Sequence, residues 1–553
     1  MAAKKPLAAS QKVGKGSMGG SALYYSAAAV AALAVCYFVL FSDQRERIGV
    51  CGDGLCGFDE DDRSCSKDCY GRCGDGFCSM KETCVGGPAK ELKGRKECAE
   101  DCGQCTTSNL ATCHAEAGMD EAHNSSMLWG TYRPHLFFGT RTRHAAPIYF
   151  SLMWHDPLDY ERVRYDAGGD GIGKYGWVEH DAKHYGHQVV EDTHLGVQMN
   201  TTFVKRNHEG AKSKGGDWVV RVSGKKLKES SKKGGQVSLV FHMSTHGKKG
   251  GLNTAEVAEG GDKSSGLLAT RSGRSAATGA FTTAIFYDGG GGASVHHFGM
   301  KNKEEYAAVA DRIVQQIYQN SVQKAREQGV GGPVVVEMPD EHRNGDDANL
   351  GFVQVVVPTP FEIEFVFLNH QSNGLEADPN IQQVVHASLP LRGAKLTELI
   401  EQRSASFNAR FDEVFSLGDK PCKPTSSSPY KRGKNDAKYP ACSDEGALTE
   451  HARSLGKAAL SQTLGGINYL HGTWFKSTNA PFFNNSVEQK SVVSFSGSPC
   501  RNGFARGFLW DEGFHQLLIS RWEPAITRDV LLHWFNLMEP DGWIPREHFI
   551  GKP

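Results

Sequence analysis

The residues with the clearest chemical potential lie near the C-terminal end of the printed sequence, between Arg506 and Gly551. This stretch holds a run of acids, three histidines and four tryptophans, which are Trp510, Trp522, Trp534 and Trp543. Sugars stack their C–H-rich faces on aromatic rings, and carboxylates carry out the proton transfers that cleave glycosidic bonds. The stretch therefore predicts a carbohydrate-processing site.

Helices are predicted to position these residues. Apolar side chains recur at helical spacing in the segments 514–522 and 531–538, and Pro524 with Thr527 supplies a break and a cap between them. From Ala447 onward we expect consecutive antiparallel helices. Upstream, residues 420–439 are rich in Pro, Ser and Lys and predict a linker.

A β-rich region is predicted before this linker. Residues 361–367 alternate phenylalanine or isoleucine with glutamate or valine, which is typical of a half-buried antiparallel strand. Further strands are predicted at 148–154, 218–222, 236–243, 333–337 and 352–357. So many strands over roughly 250 residues indicate a large antiparallel β-sandwich. Helical spacing predicts an inserted helix at 304–328 and a bridging helix at 396–415.

The N-terminal region predicts a membrane anchor. Residues 21–41 are uncharged and apolar, and residues 1–20 carry four lysines and no acid. Helical residues rise about 1.5 Å each, so this run reaches about one hydrocarbon thickness. It exceeds a typical signal-peptide core, and no convincing cleavage site follows it. The lysines predict a cytosolic N-terminus, which makes a single-pass type II protein with a lumenal remainder.

A cysteine-rich module follows the predicted anchor. Eleven of the 15 cysteines lie between Cys51 and Cys113, and a Cys-Gly-Asp-Gly-x-Cys unit occurs twice. Disulfides persist on the lumenal side of membranes, so a disulfide-bonded module is favoured over a calcium or zinc site. Cys422 and Cys442 could close the linker by another disulfide. Three Asn-x-Ser/Thr sites, at Asn124, Asn200 and Asn484, fit this topology.

Nucleic-acid binding is excluded by the charge balance, because 62 basic and 63 acidic residues give a net charge of −1. The predicted organisation has six parts. They are a cytosolic tail (1–20), a transmembrane helix (21–41), a cysteine-rich module (42–123), a β-sandwich (124–390), a helical linker (391–445) and a helical domain (446–553).

Long strings of the sequence resemble glycoside hydrolase family 63, the family of the processing α-glucosidases I. They are LWGTYRPHLFFGTRTR at Leu128–Arg143, Leu152-Met-Trp154, and RGFLWDEGFHQL and DGWIPREHFIG in the C-terminal stretch. The resemblance implies a β-sandwich, a helical linker and an (α/α)6 toroid. It also implies an inverting enzyme of the endoplasmic reticulum that removes the terminal α-1,2-linked glucose from Glc3Man9GlcNAc2 on nascent glycoproteins. No cofactor or metal is implied.

The resemblance makes Asp511 the general acid. Such an acid must keep its proton at neutral pH, and apolar walls formed by Phe508, Trp510 and Phe514 are expected to raise its pKa. Asp511 could also cap a helix, and the two roles are compatible. The substrate-binding candidates are Phe508, Trp510, Glu512, His515, Trp543, Arg546 and Glu547. Glu512 and His515 either bind glucose hydroxyls or satisfy polar groups inside the toroid. Pro545 stands where the family pattern has glycine.

Inversion requires a second carboxylate about 6.5–9.5 Å from the acid to activate water. The resemblance implies that this base lies on a much later helix of the toroid. The printed sequence ends at Pro553, so we expect an incomplete toroid, no residue here in the role of base, and negligible activity. Glu547 is the only nearby carboxylate that could substitute for this base.

Two other function classes fit the same residues. A membrane-anchored glycan-binding or folding-assistance module would use the β-sandwich and the cysteine repeats, and would bind the glycan without hydrolysis. A trehalase-like inverting glucosidase would cleave free disaccharides and ignore the glycan.

Overall fold

In the computed structural model, the described residues belong to one compact unit, Gly71–Pro553. They are 82–83, 96–97, 121–538 and 542–548, without 207–214, 228–234, 248–249, 263–264, 290–291, 302–309, 344–347, 416–448 and 478–485. The predicted anchor, nearly all of the cysteine-rich module, Asn484 and the cysteines of the linker lie outside them. Among the helices of the described part, none is long and apolar enough to cross a membrane.

The strands and helices have the following bounds. The strands are β1 (Glu82–Thr83), β2 (Lys96–Glu97), β3 (Trp129–Gly130), β4 (Phe138–Thr142), β5 (Ile148–Asp156), β6 (Asp159–Arg164), β7 (Lys174–His180), β8 (Tyr185–Asp192), β9 (Val197–Arg206), β10 (Asp217–Lys226), β11 (Gln236–Thr245), β12 (Gly251–Leu252), β13 (Glu256–Asp262), β14 (Leu267–Ser275), β15 (Gly279–Tyr287), β16 (Ser294–Met300), β17 (Glu341–His342), β18 (Leu350–Pro358), β19 (Phe361–Asn369), β20 (Asn468–Ser477) and β21 (Ser486–Ser496). The helices are α1 (Glu121–Met127), α2 (Ala310–Glu327), α3 (His370–Asn373), α4 (Ile381–Ser388), a 3-10 turn (Leu389–Leu391), α5 (Gly393–Phe415), α6 (Glu450–Gly465), α7 (Leu509–Trp522) and α8 (Pro524–Phe535).

Two large sheets form the β-sandwich. Sheet A has nine strands in the order β12-β14-β15-β19-β10-β9-β8-β7, with β13 also paired to β14. Sheet B has eight strands in the order β17-β16-β18-β11-β5-β4-β3, with β6 also paired to β5. Neighbours are antiparallel except β16 and β17, which pair in parallel, as do the short strands β1 and β2 outside both sheets. The predicted antiparallel β-sandwich is confirmed.

Aromatic side chains fill the space between the two sheets. Trp218 and Phe367 of sheet A stack with ring centroids 5.5 Å apart, and Phe365 lies 4.3 Å from Phe150 of sheet B. Phe241 of sheet B packs on Phe365 at 5.5 Å. Full burial of one such side chain stabilises the fold by about 1.5–3 kcal/mol. The alternation that predicted strands thus brings aromatic rings from both sheets into one core.

Helices cover the outer faces of both sheets. Val314 and Tyr318 of α2 pack with residues of sheet B, and Leu396 of α5 packs with residues of sheet A. The predicted antiparallel strand at residues 361–367 is confirmed as part of β19, but the prediction that it is half-buried is wrong, because α5 covers the face that carries Glu364. That carboxylate is 4% exposed and accepts hydrogen bonds from Arg221 Nη2 at 2.7 Å and from Gly393 N, at the start of α5, at 2.9 Å.

The predicted strands and helices differ from the structure in other places. Residues 333–337 form no strand, and this segment is held instead by Val336 N donating to Pro157 O at 2.9 Å and Val336 O accepting from Gln354 Nε2 at 2.8 Å. The inserted helix is observed as α2, whereas residues 302–309 lie outside the described part. The bridging helix is α5, which begins three residues earlier than predicted.

The C-terminal part is helical but contains a hairpin. Strands β20 and β21 pair between α6 and α7, so the expectation of consecutive helices from Ala447 is wrong at this point. Tyr469 and Phe495 pair in the hairpin register and are both buried, and Phe495 meets Tyr132 of the β-sandwich edge-on at 5.6 Å. Contact with the β-sandwich favours strands here because aromatic side chains pack well on a pleated surface. Helices α7 and α8 follow with only Glu523 between them.

Candidate active site

Asp511 lies in the first turn of α7 and is partly exposed. The residue at the start of the helix, Phe508, is extended and makes no side-chain cap. Phe508 forms a β-bridge with Glu547, Leu509 N donates to Arg546 O at 2.9 Å, and His548 N donates to Gly507 O at 3.0 Å. The structure thereby brings together the two C-terminal strings that the sequence singled out.

Aromatic rings beside Asp511 form an open surface. Trp510 is 78% exposed and Phe514 is 48% exposed, and their ring centroids are 6.2 Å apart on one side of α7. The ring of Phe508 is half-buried and contacts Phe504 at 5.6 Å. The apolar enclosure predicted for Asp511 is therefore not formed by Trp510 and Phe514, because both rings extend from the helix into solvent.

Glu512 is the buried neighbour of Asp511. It is 2% exposed and accepts hydrogen bonds from Gly497 N at 2.9 Å, from Ser496 Oγ and from Gln516 Nε2. Burial raises its pKa, but the nearby His515 and the hydrogen bonds outweigh burial and hold the pKa below its usual range. Glu512 thus links α7 to the end of β21 as an ionised carboxylate. Its carboxylate is therefore engaged by groups of the protein itself.

His515 lies on the same side of the helix as Glu512. Its Nδ1 is 3.8 Å from Glu512 Oε2, and its side chain is 16% exposed. A Cβ atom at position 497 would lie 2.5 Å from His515 Nδ1, so only glycine fits where the ring meets the end of the hairpin. The ring is therefore close to Glu512 and still accessible at one edge.

Glu547 is held by an ion pair. It is 8% exposed and its Oε1 accepts from the guanidinium group of Arg506. Arg546, by contrast, has an 87% exposed side chain with Nη2 3.9 Å from Glu547 Oε2, and Trp543 is 51% exposed. Pro545 is buried between them. Arg546 and Trp543 are accessible to a ligand, while the carboxylate of Glu547 fixes the loop to the start of α7.

His548 supports this loop and was missed by sequence reasoning. Its ring stacks on Trp534 with centroids 3.7 Å apart, and its Nδ1 is hydrogen-bonded to Ser494 Oγ. Burial lowers the pKa of His548 to about 3, so the ring is neutral at physiological pH. A Cβ atom at Gly507 would lie 2.4 Å from His548 Nδ1. Gly507, in the RGF string, is the sequence signal that a side chain packs closely against the backbone at this position.

A second missed group connects the β-sandwich to α8. Asp529 is fully buried and accepts from Arg143 Nη1 at 2.6 Å and Nη2 at 3.2 Å. His123 Nε2 and His533 Nδ1 each lie 3.2 Å from its oxygens. Burial raises the pKa of Asp529, but Arg143 and the two histidines more than offset this and hold the pKa well below its usual range. This buried cluster fixes the C-terminal helices on the β-sandwich.

Arg501 makes a second link to the β-sandwich. Its guanidinium group donates to Pro134 O at 2.9 Å, to Leu136 O and Phe137 O at 2.8 Å, and to Gln188 Oε1 at 2.7 Å. All of these acceptors lie on the β-sandwich side of the contact. In the described residues, no group of three or more His, Cys, Asp or Glu is arranged to hold a metal ion.

Comparisons with known proteins agree with the resemblance in the sequence. The model described as the glycosyl hydrolase family 63 N-terminal domain matches residues 126–331, and the model of the C-terminal domain of the same family matches residues 391–553. Together these models cover most of the chain.

Curated relatives include mannosyl-oligosaccharide glucosidases. The protein named mannosyl-oligosaccharide glucosidase GCS1 of Arabidopsis thaliana is 29% identical over 78% of this chain and 45% of its own length. The mannosyl-oligosaccharide glucosidase of Saccharomyces cerevisiae is 26% identical over 78% of this chain and 51% of its own length. Alpha-glucosidase 2 of Arabidopsis thaliana is 28% identical over 78% of this chain and 48% of its own length. The chain spans about half the length of the curated relatives it matches.

Proposed function

Because the chain belongs to glycosyl hydrolase family 63, we propose that it acts as an inverting α-glucosidase that removes the terminal α-1,2-linked glucose from the Glc3Man9GlcNAc2 glycan of nascent glycoproteins. The names of the relatives support a mannose-containing oligosaccharide as substrate and glucose as the sugar released. The same proposal places the protein in the endoplasmic reticulum membrane, anchored through residues 21–41 with its catalytic region in the lumen.

Asp511 is the proposed proton donor, and its position on α7 is the observation that carries this role. The residue is partly exposed in the first turn of a helix that Glu512 and the bridge to Glu547 fix at its start. Its carboxyl group would protonate the glycosidic oxygen as the bond to the anomeric carbon breaks, while water attacks the opposite face of the sugar. A fixed helix start keeps the donor in one position relative to the substrate.

The exposed side chains around Asp511 are the proposed substrate contacts. Trp510 and Phe514 offer ring faces on which glucose units can stack. Arg546 and Trp543, on the adjoining loop, are accessible for hydrogen bonds to hydroxyl groups and for a further stack. His515 offers the exposed edge of its ring to the same surface. In this proposal the substrate-binding surface is held in place by Phe508, Glu512 and Glu547, which contact it from the protein side.

The carboxylate that activates the attacking water is assigned to no described residue. Glu547, the substitute considered from the sequence, is buried and bound to Arg506, so its oxygens are engaged by a cation. An engaged carboxylate accepts a proton from water poorly, because the cation stabilises its ionised form. We therefore assign Glu547 to holding the loop and not to the role of the base.

Glucose release from Glc3Man9GlcNAc2 by the full chain tests the proposal. Any turnover should fall about 10²–10⁴-fold in Asp511→Asn, because general acid catalysis contributes about that factor. The matched control is Asp288→Asn, an exposed aspartate of the β-sandwich, which should leave turnover unchanged. Inversion predicts that the glucose released first is the β-anomer by proton NMR. Release of the α-anomer, or full turnover in Asp511→Asn, would contradict the mechanism.

Glycan binding is measured with the same preparation, because it tests the substrate contacts separately from turnover. We expect saturable binding of the triglucosylated glycan that weakens about 3- to 10-fold in Trp510→Ala, the equivalent of one aromatic stack. The absence of both glycan binding and turnover would contradict the proposed function. Binding without turnover that survives deletion of residues 446–553 would favour a glycan-binding module centred on the β-sandwich.

A further inference from the structure

Arg271 crosses the core of the β-sandwich. It lies on β14 of sheet A, is 4% exposed, and its Nη2 donates to Phe298 O on β16 of sheet B at 3.4 Å. The guanidinium group occupies the space above Gly351 on β18, where a Cβ atom would lie 1.5 Å from Arg271 Nη1. Any side chain at position 351 would therefore displace the guanidinium group from its present place.

The charge of Arg271 is not balanced by an acid of the described residues. Of the other buried arginines, Arg143 is bonded to Asp529, Arg221 to Glu364, and Arg501 to four oxygen acceptors. Arg141 has no acidic partner in the described part of the chain either, but its guanidinium group lies over the rings of Tyr149 and Tyr469. Arg271 has the long bond to Phe298, and its Nε has no hydrogen-bond partner. Burial lowers the pKa of Arg271 to about 10, so the group stays protonated at neutral pH. A buried cation without a counter-ion is strongly unfavourable.

A small cavity in the core borders this unbalanced charge. Its walls come from both sheets and include Phe241, Ile285, Val353 and Phe365 together with Arg271 and Gly351. His297 stands opposite Val353 in the strand register and also has a buried ring nitrogen, Nδ1, without a hydrogen-bond partner. Apolar walls with one cation at their side suit a weakly hydrated anion better than a bulky polar ligand.

We propose that this space, the Arg271 cavity, binds a small monovalent inorganic anion such as chloride as the counter-ion of Arg271. A water molecule could accept a hydrogen bond from Nε but would leave the charge unbalanced. An organic carboxylate would need space for its carbon chain, which the close-packed core does not provide. The site is independent of Asp511 and of the proposed glucosidase activity.

Thermal unfolding of the full chain in detergent tests the proposal. The buffer contains either sodium chloride or sodium gluconate at the same ionic strength, because gluconate is too large for the cavity. Binding to the folded state alone should raise Tm in chloride by roughly 2–4 °C at saturating concentrations. Arg271→Met should abolish this shift, whereas Arg274→Met, which replaces an exposed arginine of the same strand, should retain it. Equal Tm values in both salts for the wild type would overturn the proposal.

A crystal of the unmutated chain soaked in bromide decides the question if Arg271→Met fails to fold. The expected result is an anomalous difference peak within hydrogen-bond distance of the Arg271 guanidinium group, reduced when chloride competes. A cavity that holds only water, without an anomalous peak at saturating bromide, would show that no anion balances Arg271 there.

Discussion

The β-sandwich and the start of α7 use aromatic residues in opposite ways. Trp218, Phe365 and Phe367 of sheet A are buried in the core between the two sheets, where Trp218 stacks on both phenylalanines. Trp510 and Phe514 are exposed on a helix whose opposite side is fixed by Glu512. A buried ring lowers the free energy of the fold, while an exposed ring contributes little stability and is available to a ligand. The contrast leads to the prediction that the first set serves stability and the second set serves binding.

The largest effect is expected in the core. Trp218→Ala should lower the free energy of unfolding by about 3–5 kcal/mol, because it removes a fully buried ring that contacts five other aromatic rings. Urea unfolding followed by circular dichroism measures this loss. A loss below 1 kcal/mol would remove the distinction between the two aromatic sets.

The contact between the two regions is expected to depend on Asp529. Asp529→Asn should lower the free energy of unfolding by about 3–5 kcal/mol, because it leaves the buried Arg143 without its carboxylate. A double-mutant cycle with Arg143→Met separates the coupling energy of the Asp529–Arg143 pair from the separate effect of each substitution on stability. If the two substitutions were additive, the pair would not couple the β-sandwich to α8.

Acid should loosen the loop behind α7 through His548. Its pKa is about 3 in the folded chain and about 6.5 when unfolded, so the unfolded state takes up a proton first as the pH falls. Its contribution to stability is complete above pH 6.5 and is lost progressively toward pH 3, with a slope of up to about 1.4 kcal/mol per pH unit.

Urea midpoints of the wild type and His548→Asn, measured between pH 7 and pH 4, test this effect. The variant should lose less stability over that range because it lacks one titrating group. Identical pH dependence in both proteins would mean that His548 is not protonated on unfolding. Other buried histidines, including His155 and His180, whose pKa values burial also lowers to about 4, should contribute in both proteins alike.

The smallest effect on stability is expected at the exposed ring. Trp510→Ala should change the free energy of unfolding by less than about 0.5 kcal/mol, as is usual for surface positions. Its effect should be seen in glycan binding instead. Destabilisation comparable to that of Trp218→Ala would show that Trp510 serves the fold and would weaken the case for a binding surface.

Much of the fold could be predicted from local patterns. Strands such as β5, β11 and β18 were found where alternating or β-branched residues predicted them, because side-chain period follows directly from strand geometry. The prediction for β19 was wrong about exposure, since the partner of Glu364 is Arg221, on another strand of sheet A. The valines of residues 333–337 predict a strand, but in the structure these residues pair with neither sheet.

The candidate site was predicted in its sequence but not in its three-dimensional arrangement. The two C-terminal strings that the sequence singled out are in contact through Phe508 and Glu547. The hairpin of β20 and β21 was missed, and with it the bonds from Ser496 and Gly497 that hold Glu512. The roles of Asp511 and its neighbours in catalysis and binding stay predictions.

The sequence by itself determined the type of most elements, the family, and the presence of Asp511 among aromatic residues. The tertiary structure alone decided which of these aromatic residues are covered: Trp522 and Trp534 are 1% and 2% exposed, whereas Trp510 and Trp543 are open. It also decided that Asp529 meets Arg143, 386 positions earlier in the chain. Helical spacing shows which side chains share a face, but whether that face meets solvent or protein depends on contacts between distant segments.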